Sequence, residues 1–291
     1  MMGGEAAAAA MVGKVVTHAG KEVAEESKSI KKELLEHAKQ TPEFDMAARS
    51  YAKRVAIRQE LLTSMYRPIA KMLGVANQYF EDDFENDMAK KLADVPEENI
   101  TAPKPSIAAP AMQQLGFSLE EADLKEMYLN LLATASDTRK TDTAHPSFVE
   151  IIKQLSAAEL PTLNEILLRH DRYTPIVQLK RVKSGQSGWT VLAQHIIDDR
   201  DPATGASREN PYLATYIDNW ARLGLVEIDY ASHLADEHAY QWVDSRPEML
   251  MWRAEYETQA DITVEFTTGI ISPTAFGLSF AKVVGIVGRF R

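Results

Sequence analysis

Apolar residues recur at steps of three and four through much of the first half of the chain. Val12, Val15, Val16, Ala19, Val23, Ile30 and Leu34 form a narrow stripe with Lys and Glu between them, which predicts one long amphipathic helix over 12–38. Thr41 and Pro42 then supply an N-cap and a first helical residue that needs no N–H. The helix beyond them presents Phe44, Ala48, Tyr51, Val55, Leu62 and Met65 and is expected to reach Leu73 with a kink near Pro68. Val75, Tyr79, Phe80, Phe84, Met88 and Leu92 make a third stripe. Residues 1–95 are therefore predicted to be N-terminal amphipathic helices. A stripe as narrow as that of 12–34 closes no core alone, so these helices are candidates for a homo-oligomer contact.

Pro96, Pro103, Pro105 and Pro110 break this texture and predict a rigid connector, helical again from Ser106 to Leu115. Ser118 with Glu121 and Ser156 with Glu159 read as capping boxes, each opening an apolar helical stripe, and His145-Pro146 starts a shorter helix between them. Residues 96–170 are thus assigned to the connector and a helical core. After Asp171 the period changes. Ile176 to Leu179 reads as a strand, Gly185 and Gly188 mark a turn, and 198–210 is a polar loop. Asn210-Pro211 caps a helix through Leu223, Gly224 ends it, and strands follow at 225–228 and 262–268, before a final helix after Ser272-Pro273. That order resembles a winged helix, so 171–291 is expected to be a winged-helix-like α+β domain. The fold class expected for the whole chain is mainly α: a helical N-terminal bundle, a helical domain and this unit.

Composition acts mainly by exclusion. The 291 residues are 45% hydrophobic and 25% charged, ordinary for a globular chain. Cysteine is absent, which removes disulfides, thiolate metal sites and thiol nucleophiles. The net charge of −10 opposes a polyanion partner. Only 171–210 is net positive, with six basic against five acidic side chains, while 211–291 carries six against eleven. Nucleic acid is therefore an unfavoured partner, and a protein partner is expected instead. Glu5 stands where a secretory signal would need cations, so a cytoplasmic location is expected. The run from Phe276 to Gly288 is almost wholly apolar and is either buried or meets a membrane surface.

Chemistry-bearing clusters are few. His145 beside Asp142 and Glu150 could serve as a base, but a His-Pro pair before a helix more simply caps backbone groups. His233, Asp236, Glu237 and His238 lack helical metal-site spacing, and Asp198, Asp199, Asp201 and Gly205 lack the ligand order of a calcium loop. No phosphate loop or nucleophile elbow occurs. No cofactor, metal or catalytic residue is expected.

Several segments together carry a family likeness: Val95 to Ile100, Pro103 to Pro110, Leu124 to Ala133, His145 to Ser156, Asn219 to Val226 and Ser272 to Phe280. In this order and spacing they resemble the abortive infection alpha family. The resemblance implies a bacterial antiviral context and supplies no catalytic residue. Within it, Lys104, Pro105, His145, Pro146, Phe148, Trp220 and Arg222 are the candidate interaction or motif residues. The reading is a non-enzymatic antiphage protein that works by protein contact. A membrane-perturbing effector using the apolar C-terminal helix and a winged-helix nucleic-acid-binding regulator are the alternatives.

Overall fold

The computed structural model describes residues 62–69, 79–80, 83–169, 171–201, 203–236 and 238–286. The chain divides after Leu61. The helix predicted over 12–38, with the self-association assigned to it, and the part of the second predicted helix before Leu62 lie outside the described residues.

Residues 62–69 are helical, and five helices follow in the first half: α1 (Phe84–Lys91), α2 (Pro105–Phe117), α3 (Ala122–Ala135), α4 (Ser147–Lys153) and α5 (Leu160–Leu168). Helix α3 is their hub. Leu124, Met127, Tyr128, Leu129, Leu131, Leu132 and Ala135 bury more than one face of it, because α1, α2 and α4 all pack around it. Pro105 opens α2, where its missing N–H costs no hydrogen bond. The capping box expected at Ser118 does not form. Its hydroxyl bonds back to the Gln114 carbonyl at 3.1 Å, and Glu121 makes no side-chain cap. Glu159 does reach back as expected, accepting the Ser156 N–H at 2.7 Å.

The second half builds a four-stranded sheet from β1 (Thr174–Lys183), β2 (Trp189–Ile196), β3 (Val226–Asp229) and β4 (Ile262–Pro273), in the order β2-β1-β4-β3 with every pair antiparallel. Helix α6 (Leu213–Arg222) lies between β2 and β3 in the chain, α7 (Pro247–Tyr256) precedes β4, and α8 (Ala275–Val284) follows it. Both sheet faces carry core. Ile176 and Ile271 join the large cluster that also contains Leu131, Trp220 and Phe280, while Val177, Leu179 and Val264 pack on Trp242, Val243 and Met249.

This corrects the expected fold class. The described chain is not mainly α with a winged-helix-like unit; it sets helices against a four-stranded antiparallel half-barrel. Two features hide the sheet from a pattern reading. Strand β2, Trp-Thr-Val-Leu-Ala-Gln-His-Ile, lies at an edge and is bulged between the partners of Val177 and Lys180, so its apolar and polar positions do not alternate cleanly. Strand β4 runs twelve residues, pairing with all of β1 from Thr174 to Lys183, and so inserts between β1 and β3 where a wing would need a hairpin.

The apolar C-terminal run forms a core helix to Val284, with Ile286 buried just beyond it. Phe280, Ala281, Val283 and Val284 are buried, Asn130 Nδ2 donates to the Val284 carbonyl at 3.0 Å, and Thr134 Oγ1 donates to that of Val283 at 3.4 Å. Gly285 ends it at φ +81, with no room for a side chain beside Asn130. No helix of the described residues is long and apolar enough to cross a membrane.

Two predictions follow from the packing. A Cβ at Gly277 would stand 2.0 Å from the Leu225 carbonyl oxygen. In a free helix Gly→Ala gains roughly 1 kcal/mol. Here Gly277→Ala is expected instead to destabilise by about 1–3 kcal/mol, as overpacking does, seen as a lower midpoint of thermal unfolding.

The second concerns Asp137, which is buried where the end of α3 bridges to Ile100. The Arg139 side chain, bonded to it at 2.8 and 2.7 Å, and the Arg139 backbone N–H hold its carboxyl below the usual carboxylate range. A depressed native value contributes stability that is present above the ordinary pKa of about 4 and is lost as pH falls through the native value. Asp137→Asn is therefore expected to lower the urea midpoint at neutral pH, the gap to wild type closing in strong acid; a gap independent of pH contradicts this.

Candidate interaction surface

The motif residues read from the sequence are placed as fastenings of the fold. Trp220, fully buried, donates its indole N–H to Glu159 Oε2 at 2.6 Å, so the carboxylate that bonds Ser156 in the turn before α5 also holds α6. Two residues on, Arg222 Nη2 donates to Gln154 Oε1 at 2.8 Å and to Asn219 Oδ1 at 2.6 Å, and Asn219 Nδ2 donates to the Gln154 carbonyl at 2.9 Å. Phe148 packs with Phe276 and Phe280 at ring separations of 5.3 and 5.5 Å. His145 Nδ1 accepts the Ser147 N–H at 3.2 Å and pairs with the Ser147 hydroxyl, with Pro146 between them at the start of α4. Its imidazole thus takes up backbone-capping work. Lys104 and Pro105 stand at the start of α2, where the Lys104 ammonium lies 3.9 Å from Asp142. The structure thus gathers Phe148, Trp220 and Arg222 around the α4–α6–α8 junction and leaves Lys104 and Pro105 outside it.

A second polar group escapes sequence reasoning. His195 is buried in β2 at φ +59, a conformation that costs a non-glycine residue strain. Its Nε2 meets Asp218 Oδ1 at 3.0 Å, its Nδ1 meets the Tyr230 hydroxyl at 3.1 Å, and its backbone N–H donates to that hydroxyl at 3.2 Å. Burial pushes the Tyr230 phenol up to about 12, so it stays protonated. The chain of bonds ends at the Val177 carbonyl, 3.4 Å from the Tyr230 hydroxyl. It ties β2, α6 and β3 together. Spacings of 23 and 12 residues carry no motif, and only the left-handed His195 backbone marks the place.

The charged loops satisfy themselves. Asp198 pairs with Arg200 at 2.9 Å, Asp199 with Arg208 at 2.8 Å, and Asp201 accepts the N–H groups of Ala203 and Thr204, both at 2.9 Å. The hydrogen bonds from Thr204 and Ala203 hold the Asp201 carboxyl below its ordinary range. Buried Arg246 closes the group, donating to the carbonyls of Asp199 and Arg208 and to Glu248. Among the described residues no group of three or more His, Asp or Glu is placed to hold a metal ion. A cleft of about 580 Å³ lies between α5 and residues 234–242, but its ionic groups include the mutually bonded Arg169 and Asp171, and neither His195 nor Tyr230 lines it.

What remains unspent is at the sheet margin. Strand β2 forms one edge, and among the described residues no strand pairs with its outer side. Trp189 is 62% exposed and Val191 44%. The strand contains no Lys, Arg, Asp, Glu or Pro, whereas the opposite edge strand, β3, is four residues long and carries Glu227 and Asp229. Charge and brevity are the usual means of blunting an edge, and β2 has neither.

The described residues thus form an α+β fold whose polar motif residues bond within the fold and whose sheet keeps one unpaired strand edge. A model of the abortive infection alpha family matches residues 76–284, more than half of the 291, and the chain belongs to that family. Its membership suggests an abortive-infection defence role in bacteria. The chain matches no curated protein and no solved structure.

The Glu159–Trp220 bond gives a further prediction. Trp220→Phe keeps the ring and deletes the donor, leaving a buried carboxylate oxygen unpaired, at a cost of roughly 1–3 kcal/mol. Adding Glu159→Gln, which removes the charge, is expected to recover part of that loss in a double-mutant cycle of denaturant midpoints; additive losses contradict the pairing.

Proposed function

We infer that the protein serves abortive infection by contact with protein in the bacterial cytoplasm and catalyses no reaction itself. The observation that carries this reading is the exposed, uncharged edge of β2, bearing Trp189 and Val191. Unpaired strand N–H and C=O groups beside an exposed indole suit an extended protein segment, with main-chain bonds supplying affinity and side chains specificity. The charge supports the same choice, since −10 overall repels a polyanion. The family motif residues support it from another side, because Trp220, Arg222, Phe148 and His145 are engaged in holding the fold.

Phage plating tests this. A strain carrying the protein is expected to plate a susceptible phage far less efficiently than a deletion strain. A Trp189→Ala, Val191→Lys double variant with wild-type circular dichroism is expected to lose that protection. Equal plating by wild-type and deletion strains against a broad phage panel overturns the defence role, and full protection by the double variant overturns the edge as the contact.

A further inference from the structure

A hydrogen-bond acceptor is left over in the helical half of the fold. Among the described residues two buried side-chain atoms have no hydrogen-bond partner, Glu97 Oε1 and Asn164 Oδ1. A buried oxygen that bonds nothing costs free energy, so it marks a place where a donor from outside the fold would be taken up. Asn164 stands on α5 and lines a cavity of about 420 Å³, bounded by the ends of α1 and α8 and by the first two turns of α3. That volume lies within the range of small-molecule sites.

The lining favours a donor that is also a cation. Asp123 and Glu126, both on α3, set two carboxylates against one cation, the Lys91 ammonium, and Lys91 pairs with Glu126. No ion pair among the described residues engages Asp123. Asn130 already donates from Nδ2 to the Val284 carbonyl. The C-terminal end of α8 reaches the same cavity, and a helix carries its negative pole there. Beside these groups Met127, Leu160 and Ile286 supply buried apolar walls, which suit methylenes better than a bare ion. A guanidinium presents five N–H donors in one plane, enough for an amide oxygen and a carboxylate together.

We propose that this cavity binds an alkylguanidinium group, with its N–H donors on Asn164 Oδ1 and the Asp123 carboxylate and its methylenes against Met127 and Leu160. That chemistry has two sources. One is a free small molecule; the other is an arginine of the same chain, since Arg289 and Arg291 follow Ile286 by three and five residues in the sequence. A tethered group competes with a free one through its local concentration. The proposal goes beyond the protein-contact reading and does not depend on it.

Calorimetric titration of the full-length protein tests this, with n-butylguanidinium as probe and n-butylurea as its neutral analogue. The proteins are the wild type and an Arg289→Gln, Arg291→Gln double variant. Saturable binding of n-butylguanidinium is expected, with a dissociation constant of about 1 mM or tighter, and n-butylurea is expected to bind at least about tenfold more weakly. Binding by the wild type assigns the site to a free ligand, and binding by the double variant alone assigns it to the chain's own arginines. Adding Asn164→Leu to the double variant is expected to weaken binding at least about tenfold. Because it removes an unpaired oxygen, the same change is expected to leave the midpoint of thermal unfolding at or above that of the double variant. No binding to either protein overturns the proposal, as does equal binding of n-butylurea or binding undiminished by Asn164→Leu. A midpoint lowered by Asn164→Leu in that background also overturns it, by showing that the amide is used within the fold.

Discussion

The structure turns on one buried hydrogen bond, from the Trp220 indole to the Glu159 carboxylate. A buried carboxylate is costly unless its oxygens are used, and both are: one takes the Ser156 N–H and hydroxyl, the other the indole. Because Glu159 immediately precedes α5 and Trp220 sits near the end of α6, the bond fixes the helical half of the core to the sheet half. The neighbouring contacts extend it. Gln154 receives Asn219 and Arg222, Phe148 meets Phe276 and Phe280, and Thr274 caps α8 while its hydroxyl bonds the carbonyl of Gly224. Gly277 is glycine because α8 crosses Leu225 too closely for any side chain. Apart from Glu159, these residues belong to the segments that carry the family resemblance, so the motifs record much of how this fold is fastened.

That assignment clarifies where function sits. Trp220 and Phe148 are buried in the core, and the self-satisfied loops around Asp199, Arg208 and Arg246 leave little unpaired charge. The sheet has two edges treated in opposite ways: β3 short and acidic, β2 long, neutral and bearing an exposed tryptophan. The strained His195 network adds to this contrast. It anchors only the far end of β2 to α6 and Tyr230, and the near end stays open.

Much of the element list was legible in the sequence, and the assembly was not. Periodicity located α3, α5, α6 and parts of β1 and β4, and Gly224 ends α6 as expected, but Asn210 bonds the Tyr212 N–H in a turn ahead of the helix, whose N-cap, Tyr212, has no side-chain cap. Strand β2 was missed because an exposed, bulged edge strand lacks alternation. Without it the remaining order looked like a winged helix. The Ser118 cap failed because a serine hydroxyl can equally bond the preceding turn's carbonyl, and pattern does not choose between them. Of the candidate residues, the capping role of His145 was readable from His-Pro. The Glu159–Trp220 and His195–Asp218–Tyr230 contacts span 61, 23 and 35 residues and exist only once the chain is folded.

The central claim is that the bare edge of β2 is a pairing surface and the joint at Trp220 is structural. Amide hydrogen exchange of the full chain, followed residue by residue, tests this most directly. The account predicts that outward amides within Trp189–Val191 exchange rapidly in the isolated protein while the Trp220 indole stays protected. Protection along the whole of Trp189–Val191, or rapid exchange of the indole, would contradict it.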